Sequence, residues 1–258
     1  MKLKDRVAIV TGGGRAIGNR ISLRLAAEGA HLLIAGPEAD ELEETAAQIG
    51  ELGRQAVTVV ADVSQDEDVL RIAARAREEW GRVDLLVNNA GIIGPTAIVP
   101  DVSRDDWDQV LAVNLTGAFM CCKAVLPGMI ERRSGKVINI SSVAGKMGFA
   151  LRSPYAVSKW GLIGLTLSLA KEMGEYNIQV NAVCPGPVEG ERMRTLMQSR
   201  AAELGRPVAE IEQENVETTL LLRFVQADDV AAMVAFLASD EANNITGQAL
   251  DVSGGYGI

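Results

Sequence analysis

Histidine is almost missing from this sequence, with His31 the only one in 258 residues. A catalytic triad built on imidazole and a metal centre built on several imidazoles are thereby excluded. Thiols are scarce too. Cys121, Cys122 and Cys184 show no paired C-x-x-C spacing, and the first two fall in an apolar helical run, so all three read as reduced core residues. No stretch of the length a membrane span needs is free of charge, and the opening Met-Lys-Leu-Lys-Asp-Arg leads into a strand rather than a signal peptide. That predicts a cytoplasmic protein with no membrane partner. Excess positive charge is also lacking: the net charge is −9 and the isoelectric point about 4.8, which argues against nucleic acid and anionic lipid surfaces, both polyanions. The expected partner is a small molecule or another protein.

What is present fits a globular chain, 48% hydrophobic and 23% charged, long enough for one substantial core. We expect a single domain over 1–258. Val7-Ala-Ile-Val10 reads as a strand, Thr11-Gly-Gly-Gly14 as a turn and Ile17 to Ala27 as a helix stopped at Gly29. The unit recurs. Strands are predicted at His31–Ala35, Ala56–Ala61, Val83–Asn88, Gly135–Ile140, Gln179–Val183 and Ala249–Val252, with helices at Asp66–Trp80, from about Arg104, and over Pro154–Met173 and Asp228–Leu237. Near-continuous apolar strands alternating with helices imply an α/β fold: a doubly wound, Rossmann-like parallel sheet covered on both faces. A mostly charged, helix-favouring excursion over 187–222 interrupts the rhythm. It reads either as a substrate lid or as a solvated helix pair.

Two motifs carry chemistry. Tyr155 and Lys159 stand one helical turn apart in Ser153-Pro-Tyr-Ala-Val-Ser-Lys159, on one face of the predicted helix. A free phenol is a poor base at neutral pH, but an ammonium beside it favours the phenolate and makes proton exchange with a hydroxyl feasible. Alone, such a pair would more often be a tyrosine packed on a lysine stem. The second motif is Thr11-Gly12-Gly-Gly-Arg15-Ala16-Ile17-Gly18, placed after a strand and before a helix. There, glycines let backbone N–H groups approach a pyrophosphate, and the helix dipole favours its charge.

With these motifs in order, the chain resembles the short-chain dehydrogenase/reductase family in its common form of about 250 residues. That family's T-G-x-x-x-G-x-G is met at Thr11, Gly12 and Gly18, with Ala16 where the middle glycine is usual. The resemblance continues through Asp62-Val63, Asn88-Asn89-Ala90-Gly91, Asn114, Ser142 and Pro185-Gly186, while the usual threonine a few residues on is Gly190. It implies cofactor contacts at Gly12, Arg15, Ile17, Gly18, Asp62, Val63, Asn89, Ala90, Gly91, Tyr155, Lys159, Pro185, Gly186 and Val188, and no metal. It also implies a catalytic set. Tyr155 is the general acid and base for a secondary alcohol and ketone pair, Lys159 depresses its pKa and bonds the nicotinamide ribose, Ser142 bonds the substrate oxygen, and Asn114 fixes a water beside Lys159.

The cofactor is NAD or NADP. At the end of the second strand stand Gly36-Pro37, neither an acid for a ribose diol nor an arginine for a 2′-phosphate. Arg15 would attract that phosphate and Glu38, Asp40 and Glu41 would repel it, so the balance leans to NAD. Arg152 could bind an acidic substrate group, although a solvated arginine, or one at a subunit contact, is the preferred reading. A homotetramer is implied, associating through Arg104 to Ile130, Pro154 to Met173 and Gly247 to Ile258. The alternative to an enzyme is a nucleotide-binding sensor or scaffold without turnover on the same fold.

Overall fold

The computed structural model describes residues 1–257. Ile258, the last residue of the segment expected at subunit contacts, lies outside the described residues. Seven strands form one all-parallel sheet in the order β3-β2-β1-β4-β5-β6-β7. They are β1 Val7–Thr11, β2 His31–Gly36, β3 Ala56–Val60, β4 Leu85–Asn88, β5 Gly135–Ile140, β6 Ile178–Pro185 and β7 Ala249–Val252.

Every residue of β1, β4 and β5 is buried, because helices cover both faces. Alternate strand residues feed two separate cores. Ala8, Val10, Leu32 and Ile34 face one side with α1 (Ala16–Ala27) and α9 (Ala227–Ala238). Ile9, Leu33, Leu86 and Val137 face the other with α3 (Asp66–Trp80) and α5 (Gly117–Arg132). This period-two division is what parallel strands buried on both sides require.

Local signals explain the helix ends. The first turn of α3 holds Asp66, Glu67 and Asp68, its last turn holds Arg77, and Gly81 closes it at φ 72, matching the helix dipole and the left-handed cap. A capping box between Gln226 and Asp229 starts α9. The long apolar helical stretch Arg104–Arg132 has the length and composition to cross a membrane. In the fold it buries Cys121, Cys122, Val125 and Met129 against the sheet. All three cysteines are free and buried. Burial pushes the thiols of Cys121 and Cys122 up to about 12 and that of Cys184 to about 11, so they stay protonated and inert.

The 187–222 excursion forms α7 (Glu191–Leu204) and α8 (Val208–Glu217). Met197, Ala201, Ile211 and Phe224 give it a small core of its own. Its two ends meet through the parallel bridge Val188 with Val225 and the Glu189 N–H to Val225 carbonyl bond of 2.8 Å. The remaining helices are α2 (Ala39–Glu51), α4 (Arg104–Leu111) and α6 (Ser153–Met173). The order of strands reverses between β1 and β4, and at such a switch point the loops after the two strands diverge and open a crevice.

Candidate active site

The glycine turn after β1 lies on one side of that crevice. Gly12 sits at φ 62. A Cβ added to Gly18 would fall 1.8 Å from the Gly12 carbonyl oxygen, so α1 begins as close to the turn as backbone allows. Ala16, where the family's pattern has glycine, is the first residue of α1 and is held at φ 46. That left-handed conformation costs an alanine about 1–2 kcal/mol. Ala16 therefore keeps the turn's shape and carries the strain itself.

The N-terminus of α1 has neither a side-chain cap nor an acid in its first turn, whereas α2 and α3 carry acids there. Uncapped amides at the positive end of a helix dipole suit a pyrophosphate. Arg15 stands at the N-cap, its guanidinium 3.6 Å from the Glu41 carboxylate at the start of α2.

The loop after β4 is fixed to this turn. Thr11 Oγ1 accepts the N–H groups of Asn89 and Ala90, each at 3.1 Å. The Asn89 side-chain amide donates to the carbonyls of Thr11 and Gly12 at 3.0 and 2.9 Å. Below, Asn88 donates to Asn139 at 2.9 Å, and Asn139 to Thr166 at 2.9 Å, a buried polar chain joining β4, β5 and α6. Asp62 is exposed just beyond β3, where its Oδ1 accepts Ser64 N–H and O–H. Val63 is buried and packs on Gly117: a Cβ there would lie 2.9 Å from Val63 Cγ2.

Asn114 lies in a π-helical turn, Ala112–Thr116, between α4 and α5. Such a bulge changes the backbone ladder and turns a side chain off the regular helical face. The Asn114 side chain, 1% exposed, accepts Ile92 N–H and donates to Ile92 carbonyl, both at 2.8 Å, and also donates to Ser158 Oγ at 3.0 Å. Ser158 in turn donates to the Tyr155 carbonyl at 2.7 Å. The loop after β4 and the first turn of α6 are thus locked together through one asparagine.

Lys159 is 4% exposed and donates to the Ile140 carbonyl at 2.8 Å. Its ammonium is 5.7 Å from the centre of the Tyr155 ring. A Cβ on Gly91 would stand 3.5 Å from that ammonium and 3.3 Å from Asn114 Oδ1, so Gly91 keeps the centre open. Ser142 N-caps a short 3₁₀ turn, Val143–Gly145, its Oγ accepting Ala144 N–H at 3.1 Å. With a lone pair so used, its O–H remains to donate.

Arg152, read from sequence as solvated, at a subunit contact or anion-binding, donates to the Gly94 carbonyl at 2.9 Å beside an Ala97 to Leu151 backbone bond of 3.0 Å. It stitches the loop after β4 to the approach to α6. Pro185 ends β6, and Gly186 N–H donates to Val252 at 3.0 Å. Val188 lies in the bridge to Val225, and Gly190 N-caps α7 without a side-chain bond. The sequence reading passed over Thr11 as a tether, Ser158 and the Ile140 carbonyl. A threonine closing a strand before glycines, and a serine one residue before the lysine, were the available signals.

A family model described as short chain dehydrogenase matches residues 6–201. A short-chain dehydrogenase/reductase from Armillaria gallica is 40% identical, covering 98% of this chain and 96% of its own length. The crystal structure of an NAD+-bound xylitol dehydrogenase is 33% identical and superposes with a TM-score of 0.94, over 99% of this chain and 100% of that one. An actinorhodin polyketide ketoreductase solved with NADPH is 35% identical, with a TM-score of 0.93 over 98% and 97%. The matched segment holds the glycine turn, the Asn114 lock, Ser142 and the Tyr155–Lys159 pair, and the chain therefore belongs to the short-chain dehydrogenases as an NAD(P)-dependent oxidoreductase.

Proposed function

We propose that this protein interconverts a secondary alcohol and a ketone, with Tyr155 as general acid and base. The observation that carries the reading is a buried ammonium with three chain segments around it. Lys159 is bonded to Ile140 at the end of β5, lies 5.7 Å from the Tyr155 ring, and faces the space that Gly91 leaves empty. When bound, the nicotinamide supplies or accepts the hydride.

Tyr155 gives its proton to the carbonyl oxygen as negative charge develops there, and removes it from the alcohol in the reverse direction. Lys159 favours the phenolate by its charge, and burial strengthens that interaction. Ser142, whose Oγ already accepts Ala144 N–H, donates its hydroxyl hydrogen to the same substrate oxygen. Asn114 holds Tyr155 and the loop after β4 in register through Ser158 and Ile92.

The pyrophosphate falls to Gly12, Arg15, Ile17 and Gly18 at the uncapped start of α1. Asp62 and Val63 take the adenine edge, Asn89, Ala90 and Gly91 the ribose side, and Pro185, Gly186 and Val188 the nicotinamide side. The Arg15–Glu41 ion pair supports NAD over NADP, because a 2′-phosphate would have to displace a carboxylate. The helix pair α7–α8, tethered at Val188 and Val225, serves as the substrate lid. Exposed Phe119, Val157, Trp160 and Leu167 on α5 and α6 support association into a homotetramer.

A screen of alcohols at alkaline pH with both oxidised cofactors, and of ketones with both reduced cofactors, read by nicotinamide absorbance, tests the proposal. At least one secondary alcohol is expected to turn over, faster with NAD. Cofactor binding without turnover across alcohols and ketones would reject the activity.

A further inference from the structure

We infer that Lys146 and Asp251 form a clamp that holds the Ser142 turn against the last strand, making both of them positioning residues for the Ser142 hydroxyl. The inference rests on the reaction proposed above.

Ser142 and Lys146 are the two ends of one short turn. Gly145 N–H donates to the Ser142 carbonyl and Lys146 N–H to Val143, both at 2.9 Å. The inner side of the turn is fixed to α6. Ser141 Oγ donates to the Lys159 carbonyl at 2.9 Å, and a Cβ on Gly145 would lie 2.7 Å from that oxygen. On its other side Ser142 N–H reaches Cys184 at the end of β6, and Lys146 ties the far end of the turn to β7. The ammonium reaches β7, 2.7 Å from Asp251 Oδ1 and 2.6 Å from the Ala249 carbonyl.

The anchor on the far side is firm. Asp251 pairs with Cys184 in the β6–β7 register. A Cβ on Gly186 would strike Ser253 at 2.8 Å, so β7 is locked to the end of β6. Beyond it, the tail turns back on Gly254, Gly255 and Gly257, all at positive φ. Gly254 carbonyl accepts Leu221 N–H at 3.0 Å, and a Cβ on Gly257 would lie 3.0 Å from Met147 Sδ. The tail thus bridges the exit of the α7–α8 pair to the residue after Lys146.

The proton-transfer chemistry needs no cation at position 146, so the ammonium's role there is geometric. Both partners are more than a third exposed at the side chain, where an ion pair adds little to global stability. Freeing it leaves the fold intact and lets the turn drift, and small displacements of a catalytic group lower rate.

The test uses Asp251→Asn and the exchanged pair Lys146→Asp with Asp251→Lys, in the full chain with its nicotinamide cofactor. Asp251→Asn should lower kcat about fivefold while KM and cofactor affinity, read by tryptophan fluorescence, stay within about twofold. Amide hydrogen exchange at Ala144 and Gly145 should accelerate in the same variant, and the exchanged pair should recover at least half of both effects. Should Asp251→Asn not fold, Lys146→Met is the substitute, with the same expected changes. Parent-like exchange at Ala144 and Gly145 together with parent-like kcat overturns the clamp, as does failure of the exchanged pair to rescue. If the parent binds cofactor but turns over no substrate, the proposed reaction fails, and the exchange measurement still decides whether the clamp holds the turn.

Discussion

Replacing Gly18 by alanine strikes the glycine turn at its narrowest point. The new methyl would stand 1.8 Å from the Gly12 carbonyl oxygen and 2.6 Å from Asn89 Nδ2, far inside van der Waals contact, and the main obstacle is backbone. Relief requires the Gly12 carbonyl to move away from Asn89, breaking their 2.9 Å bond. Overpacking of this kind costs about 1–3 kcal/mol and a lost hydrogen bond about 1 kcal/mol more. For a domain of this size the sum lowers Tm on the order of 10 °C. Because the displaced turn is the proposed pyrophosphate cradle, cofactor affinity should fall at least about tenfold, or roughly 1.4 kcal/mol. Gly50→Ala is the control: it lies in the last turn of α2 with nothing within 4 Å, and should leave stability unchanged or raise it by up to about 0.5 kcal/mol. Circular dichroism melts with and without NAD measure both quantities. A Gly18→Ala protein with parental Tm and cofactor-induced stabilisation would refute the reasoning.

Thr11→Val keeps shape but removes the oxygen that accepts Asn89 and Ala90 N–H. It should destabilise by about 2–4 kcal/mol, since two partly buried donors lose their partner, and urea titration measures this. Glu41→Gln should raise NADP affinity several-fold, with NAD little changed, by releasing Arg15; titration calorimetry with both cofactors checks it, and equal changes would count against the assignment. Burial, and secondarily the Arg54 charge, hold the His31 imidazole below its ordinary value of 6.5. The unfolded chain takes up the proton first, so the His31 contribution to stability is level above that value, falls as pH drops below it, and flattens once the folded imidazole also titrates. In His31→Gln, urea midpoints from pH 7 to 5 should lose this slope; an unchanged slope would assign it elsewhere.

The alternation of strands and helices was legible because each face of the sheet is buried, so that Val7 to Val10 and Leu85 to Val87 read as apolar throughout. The glycine turn and the Tyr155–Lys159 pair were legible because close backbone approach and side-chain pairing on one helical face demand particular residues at fixed spacing. Other features depend on packing. Ala-Val-Asn-Leu-Thr at 112–116 reads as ordinary helix, whereas in the fold it forms a π turn from which Asn114 bonds Ile92 and Ser158. Ala16 is a helix former by preference, yet the contact of Gly12 with Gly18 forces it left-handed. Lys146 and Asp251 lie far apart in sequence, on a loop and a strand that carry no shared pattern. Arg15 and Glu41 were visible as opposite influences on a phosphate, but their pairing needed the start of α2 to lie against the turn.

The central claim is that the Tyr155 hydroxyl exchanges the proton while hydride moves. Tyr155→Phe, compared with the parent in steady-state turnover and in cofactor binding, tests it most directly. Turnover is predicted to fall about 10²–10⁴-fold with cofactor affinity and Tm retained. Near-parental turnover in the folded variant would contradict it.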